Sequence, residues 1–357
     1  MIIDIIKVFL PPVISFIFGI LIAVPLSDFL YSRQMWKKRA GKTALDGTEA
    51  VVFNELHKEK EINTPRMGGI IIWLSTFVTI VGIFIVDKIT TWPVFDKLEL
   101  LSRSQTWIPL MTLIVGAFVG LIDDYLEVRS NGGSYSKGLS LKKRLLVVAG
   151  IGLFCGYWFY SKLGVSMLGT PGIFAGIDLG ILFIPFFAIV AMAVYSGGVI
   201  DGLDGLAGGV FATMFSAYAG IAFYQQQINL SSFCLVVVGG ILAFLWFNIP
   251  PARFYMSETG TMALTVTLTV VAFMTDSLGG GYGVFVLPII AMPLVLTTAS
   301  NIIQVFSKKY RGKKVFLVAP VHHHFEAIGW PAYKVTMRYW IVGVMFGILG
   351  VVLALVG

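Results

Sequence analysis

The chain has 357 residues, of which 57% are hydrophobic and only 13% charged. Its mean hydropathy of +0.86 excludes a water-soluble globular protein. The net charge of +7 is read as a membrane-topology signal, with no nucleic-acid role, because no basic and aromatic binding module is visible.

The first apolar run, near 5–30, follows the acidic Asp4, lacks a small-residue cleavage site and ends on the basic stretch Arg33 to Arg39. It is therefore expected to stay as a membrane helix and not to be removed as a signal. Runs of spanning length follow near 67–86, 107–122, 144–160, 180–196, 203–223, 231–248, 260–276, 282–305 and 336–356. The run at 180–196 is short and passes directly into Gly197 and Gly198. Residues 161–179 carry Gly164, Gly169, Pro171, Gly172 and Gly176 among β-formers, which suggests a small outward hairpin. Cys155 and Cys234 lie inside apolar runs, without metal-ligand spacing, and are read as buried apolar residues. The pattern predicts an all-α, polytopic membrane protein of about ten transmembrane helices, a single domain over 1–357.

Ten spans leave both termini on one side. Of the 26 Lys and Arg residues, 21 fall in or beside the odd-numbered loops, so those loops are read as cytoplasmic and both termini as external.

Every cluster of unusual polar residues borders an odd loop. Gly120-Leu-Ile-Asp-Asp-Tyr125 ends the third run; its adjacent carboxylates, Asp123 and Asp124, repel each other and point about 100° apart on a helix, which predicts different jobs. Ile200-Asp-Gly-Leu-Asp-Gly-Leu-Ala-Gly-Gly209 opens the sixth run, with Asp201 and Asp204 on one face and Gly202 and Gly205 allowing close approach to the backbone. Two carboxylates at a helix start admit a phosphate only with a divalent cation between, an arrangement that suits Mg²⁺. Tyr255-Met-Ser-Glu-Thr-Gly260 opens the eighth run, and on its own Ser257 or Glu258 reads as a helix cap. Ala319-Pro-Val-His-His-His-Phe-Glu326 holds three of the four histidines. Consecutive His322, His323 and His324 do not all reach one ion, and imidazoles facing a pyrophosphate fit them equally well. His57 to Gly69 and Lys137 to Arg144 carry bases that serve either topology or the site.

These segments, with Phe244-Leu-Trp-Phe-Asn248 and Lys137-Gly-Leu-Ser140, resemble in sequence and order the polyprenyl-phosphate N-acetylhexosamine-1-phosphate transferases. The triple histidine resembles the muramoyl-pentapeptide branch of that family, not the UDP-GlcNAc branch. The resemblance implies transfer of phospho-MurNAc-pentapeptide from UDP-MurNAc-pentapeptide to undecaprenyl phosphate. UMP and lipid I are the implied products, Mg²⁺ the implied cofactor, and a lipid-embedded homodimer of the bacterial inner membrane, active on its cytoplasmic face, the implied setting.

By the same resemblance Asp123 activates the lipid phosphate, with Asp124 its partner. Asp201, Gly202, Leu203 and Asp204 match the uridine-side acidic motif, with Asp204 also catalytic. His322, His323 and His324 match the diphosphate loop, the first two as catalytic groups. Lys60, Thr64, Lys137, Asn248 and Tyr255 complete the expected substrate-binding set, and Glu258, Asp124 and Asp204 the expected metal set.

Several positions depart from the family pattern. Tyr195-Ser-Gly-Gly-Val-Ile200 replaces a stretch that normally holds two amides and a hydroxyl, and Glu258 replaces an aspartate. Arg66 replaces a threonine, Glu127 a lysine, and Lys60 is offset by one residue. Arg66 favours a UDP-GlcNAc:polyprenyl-phosphate transferase, which the triple histidine opposes. A cation-coupled transporter would use the same acids, but nearer the bilayer midplane.

Overall fold

The computed structural model describes residues 2–38, 62–90, 98–101, 105–129 and 138–356. Its helices are α1 (Ile2–Ser32), α2 (Ile70–Ile89), α3 (Trp107–Arg129), α4 (Leu141–Lys162), α5 (Phe183–Ser196), α6 (Leu206–Tyr224), α7 (Ile228–Asn248), α8 (Ser257–Met274), α9 (Gly283–Ile290), α10 (Met292–Arg311), α11 (Val321–Ala327) and α12 (Ala332–Val356). Among the described residues nine helical stretches are long and apolar enough to cross a membrane, and α9 with α10 supplies a tenth that is bent by 68°. All ten apolar runs therefore become helix, but the run at 282–305 is broken and not continuous. Its break lies between Pro288 inside α9 and Pro293 in the first turn of α10, where each ring removes a backbone donor and clashes with the preceding turn.

The bundle is built around α8. Nearly all of its apolar stretch, 94%, is buried, against 22% for α1 and 28% for α4 and α12. Those outer helices turn Phe9, Leu21, Phe154 and Ile341 outward, as side chains bathed in lipid tails require. The central helix carries hydroxyls that need partners. Thr261, Thr265 and Thr269 each donate to the carbonyl one turn back, on Ser257, Thr261 and Thr265, so these three are satisfied within the helix, while the buried Thr267 hydroxyl has no hydrogen-bond partner among the described residues.

Small residues let the neighbours of α8 approach to backbone contact, the usual way apolar helices associate without a hydrophobic driving force. A Cβ on Gly120 of α3 would lie 2.2 Å from the Glu258 carbonyl oxygen, and one on Gly69 would lie 2.3 Å from the Gly260 nitrogen. The ends of α3 and α2 are thereby pinned to the start of α8.

At the other end of the bundle, β1 (Met167–Thr170) and β2 (Ile173–Asp178) form the antiparallel hairpin read from the glycine pattern. Buried Asp276 accepts the Gly169 amide at 2.7 Å and the Val284 amide at 2.9 Å, tying that hairpin to α9. Cys155 and Cys234 are buried free thiols.

Candidate active site

The start of α8 is where the acidic segments meet. Ser257 takes a positive φ of +56°, and no side chain of its own segment caps the helix. The caps come instead from other elements. Asp124 accepts the Glu258 amide at 3.2 Å on one oxygen, and on the other the Thr259 amide at 2.9 Å and hydroxyl at 2.6 Å. Asp201 accepts the Ser257 amide at 2.8 Å. Three successive amides at a positive helix end thus face two carboxylates, in place of the cap expected from Ser257 or Glu258.

Asp123, as fully buried as Asp124, faces the other way. Its Oδ1 accepts the Leu139 amide, and its Oδ2 lies 2.9 Å from Arg144 Nη2. Gly138, at φ +68°, makes this possible, since a Cβ there would sit 2.7 Å from Asp123 Oδ1. The same guanidinium donates from Nη1 to Glu258 Oε1 and from Nε to the Leu139 carbonyl at 3.0 Å. The Tyr195 hydroxyl takes the second Glu258 oxygen at 3.0 Å. A parallel ion cluster lies beside Asp124. Arg66 binds Glu127 and comes within 3.9 Å of Asp124, and Lys37 is 3.2 Å from Glu127. The two departures Arg66 and Glu127 are therefore paired with each other.

The second acidic motif meets the histidines. A Cβ on Gly202 would lie 2.5 Å from His322 Nε2 and 2.8 Å from His323 Nε2. His323 Nδ1 is 2.8 Å from Glu326 Oε2, which orients the ring, and both His322 and His323 are buried. His324 turns elsewhere: its Nδ1 accepts the Leu317 amide at 3.3 Å. Buried Leu203 and the left-handed Gly205 (φ +76°) complete the turn.

Other expected site residues shape the backbone. Asn248 accepts the Gly205 amide at 2.9 Å and donates to the Phe254 carbonyl at 2.8 Å, while Asp204 accepts the Ala252 amide at 3.1 Å. Tyr255 pairs through its backbone with Pro65 and Gly68, beside half-buried Thr64. Lys60 and Lys137 lie outside the described residues.

The expected metal trio is not assembled. Asp124 is committed to amides, Glu258 to Arg144 and Tyr195, and Asp204 to Ala252. Among the described residues no three His, Cys, Asp or Glu groups gather to hold an ion, and Asp124 and Glu258, with both oxygens of each taken by protein donors, do not fit Mg²⁺ as arranged. Arg144 and Tyr195 fall in stretches that the sequence flags, the basic flank 137–144 and the departing stretch 195–200, but nothing in the sequence singles out either side chain as a site residue.

The model of glycosyl transferase family 4 matches residues 106–276, a stretch from the start of α3 to the end of α8 that holds Asp123, Asp124, Asp201, Asp204 and Glu258. Phospho-N-acetylmuramoyl-pentapeptide-transferases of Anoxybacillus flavithermus and Geobacillus sp. are each 35% identical over 297 residues, covering 82% of this chain and 84% of theirs. That of Listeria innocua is 32% identical over 296 residues, covering 82% and 85%. The chain belongs to the phospho-N-acetylmuramoyl-pentapeptide-transferase family. As such it is a multi-pass membrane phosphoglycosyl transferase, and the acids and histidines gathered at one end of this transferase form its candidate active site.

Proposed function

We propose that this transferase moves phospho-MurNAc-pentapeptide from UDP-MurNAc-pentapeptide to undecaprenyl phosphate, giving lipid I and UMP, the first membrane step of peptidoglycan synthesis. The observation that carries the reading is the contact of the Gly202 turn with His322 and His323, which joins the acidic motifs to the histidine helix in one site. The odd loops that border these motifs in the sequence also carry most of the Lys and Arg, which supports a site on the cytoplasmic face of the inner membrane.

In the proposed reaction an oxygen of the lipid phosphate attacks the sugar-side phosphorus directly. A new P–O bond forms, and the P–O bond to UMP breaks with its electron pair leaving on UMP. Such a step demands alignment and charge compensation more than covalent help. Asp123 is the group assigned to the proton of the incoming lipid phosphate. His323, oriented by Glu326, and His322 face the diphosphate, and the Asp201–Leu203 turn faces the uridine. No step is assigned to Mg²⁺.

An apolar groove of about 480 Å³ between α10, α11 and α12, lined by Leu296, Ile303, Phe316, Phe325 and Val342, adjoins the histidine helix. It suits the phosphate-proximal part of a prenyl chain, with Arg338 at its wall. The homodimer implied by the resemblance belongs to this proposal, and the mass of the detergent-solubilised particle checks it.

The deciding experiment is UMP release by the purified protein with undecaprenyl phosphate and either UDP-MurNAc-pentapeptide or UDP-GlcNAc. Turnover with the muramoyl donor is expected. Turnover with UDP-GlcNAc alone would sink the proposal.

A further inference from the structure

We infer that Arg144 is a built-in cation of the transfer centre, bridging Asp123 and Glu258 so that the resting protein takes up no divalent metal between them. The inference rests on the transferase reading for what the centre does, but its geometry stands alone.

Two carboxylates facing a common space, one of them fully buried, do not both stay ionised without a cation or a proton between them. Here the cation is part of the chain. Arg144 Nη2 is 2.9 Å from Asp123 Oδ2, and Nη1 binds Glu258 Oε1. The planar fork hydrogen-bonds Glu258 with one amino nitrogen and sets the other against Asp123 as a close ion pair, a spread of charge that a point-like ammonium does not provide. The fork is also aimed before any ligand arrives, because Nε is fixed on the Leu139 carbonyl at 3.0 Å.

The remaining oxygens are occupied as well. Asp123 Oδ1 holds the Leu139 amide, and Glu258 Oε2 holds the Tyr195 hydroxyl at 3.0 Å. A metal ion entering between Asp123 and Glu258 would have to displace a guanidinium that is only 18% exposed, and stranding such a buried charge is costly. The longer Glu258 side chain is what reaches Arg144 and Tyr195 together.

The test is Mn²⁺ binding to the full-length protein in detergent, with neither nucleotide nor lipid, read from the loss of the free Mn²⁺ electron paramagnetic resonance signal. The wild type is expected to leave Mn²⁺ free up to about 1 mM. Arg144→Gln, which leaves the two carboxylates without their cation, is expected to bind one Mn²⁺ on the order of tenfold tighter or more. Wild-type binding as tight as that of a folded Arg144→Gln, or no tightening in that variant, overturns the inference. Should Arg144→Gln fail to fold, Arg144→Lys replaces it and is expected to tighten binding by a smaller factor; tight wild-type binding or an unchanged Arg144→Lys would then overturn it. UMP release, measured in parallel with both UDP-sugars at saturating Mg²⁺, separates the two readings: no turnover with either donor removes the transferase assignment and leaves the Mn²⁺ result intact.

Discussion

Thr259 gives both its amide and its hydroxyl to one carboxylate oxygen of Asp124, at 2.9 and 2.6 Å. A residue at the end of α3 thereby closes the start of α8, the helix around which the bundle packs. Asp124→Ala removes that acceptor and strands buried donors, at a cost of about 1–3 kcal/mol. Thermal unfolding in detergent should report the loss. Asp124→Asn keeps one carbonyl oxygen and should fall between the variant and the wild type.

Asp123 presents the contrasting case. Its partners are Leu139 and Arg144, and unlike Asp124 it caps none of the amides that open α8. Asp123→Asn should therefore cut turnover by roughly 10²-fold or more while shifting the unfolding midpoint less than Asp124→Ala does. Equal midpoint shifts with near-normal turnover would refute the division of labour between these neighbours.

Much of this was legible in the chain, for reasons that differ by residue. Helices show in sequence because a span needs a long apolar run, and all ten runs are helical. The bend at Ala291 was hidden because hydropathy counts side chains and ignores the backbone donors that Pro288 and Pro293 lack. Asp123 and Asp201 stood out because carboxylates are rare beside apolar runs. What they bind did not show, since Asp201 reaches Ser257 and Asp123 reaches Arg144 across distant segments. Arg144 looked like one more base in a cytoplasmic flank, and only the fold separates it from Lys142 and Lys143.

Glu258 fits its neighbours as a glutamate. Its two oxygens reach Arg144 and Tyr195, and Glu258→Asp, a methylene shorter, should lose the Tyr195 contact. We expect UMP release to fall on the order of tenfold, and Tyr195→Phe to cost less in the Glu258→Asp background than alone. The coupling energy from that double-mutant cycle should lie within about 0.5–3 kcal/mol. Strictly additive effects would show that the pair does not act together.

Ala299 lines the apolar groove beside the histidine helix. Ala299→Trp should obstruct it and raise the KM for undecaprenyl phosphate severalfold, with the KM for the nucleotide donor unchanged. A change confined to the donor would move the acceptor chain to another face of the protein.

Gly202 offers the narrowest test of the site. A methyl group there would come within 2.5 Å of His322 Nε2 and 2.8 Å of His323 Nε2, so Gly202→Ala must push the imidazoles off the acidic turn or bend the turn itself. Overpacking of this kind costs about 1–3 kcal/mol, and displacement of a catalytic group by even 1 Å costs on the order of 10²-fold in rate. The rate should therefore suffer far more than the fold. Gly220 is the control: it lies on α6, and nothing stands within 4 Å of the methyl group that Gly220→Ala would add. Equal turnover in the two variants would mean that the contact between the turn and the histidine helix does not matter to the reaction. A Gly202→Ala protein that keeps its helical circular dichroism and its melting point but loses turnover would tie the rate to the position of these two rings.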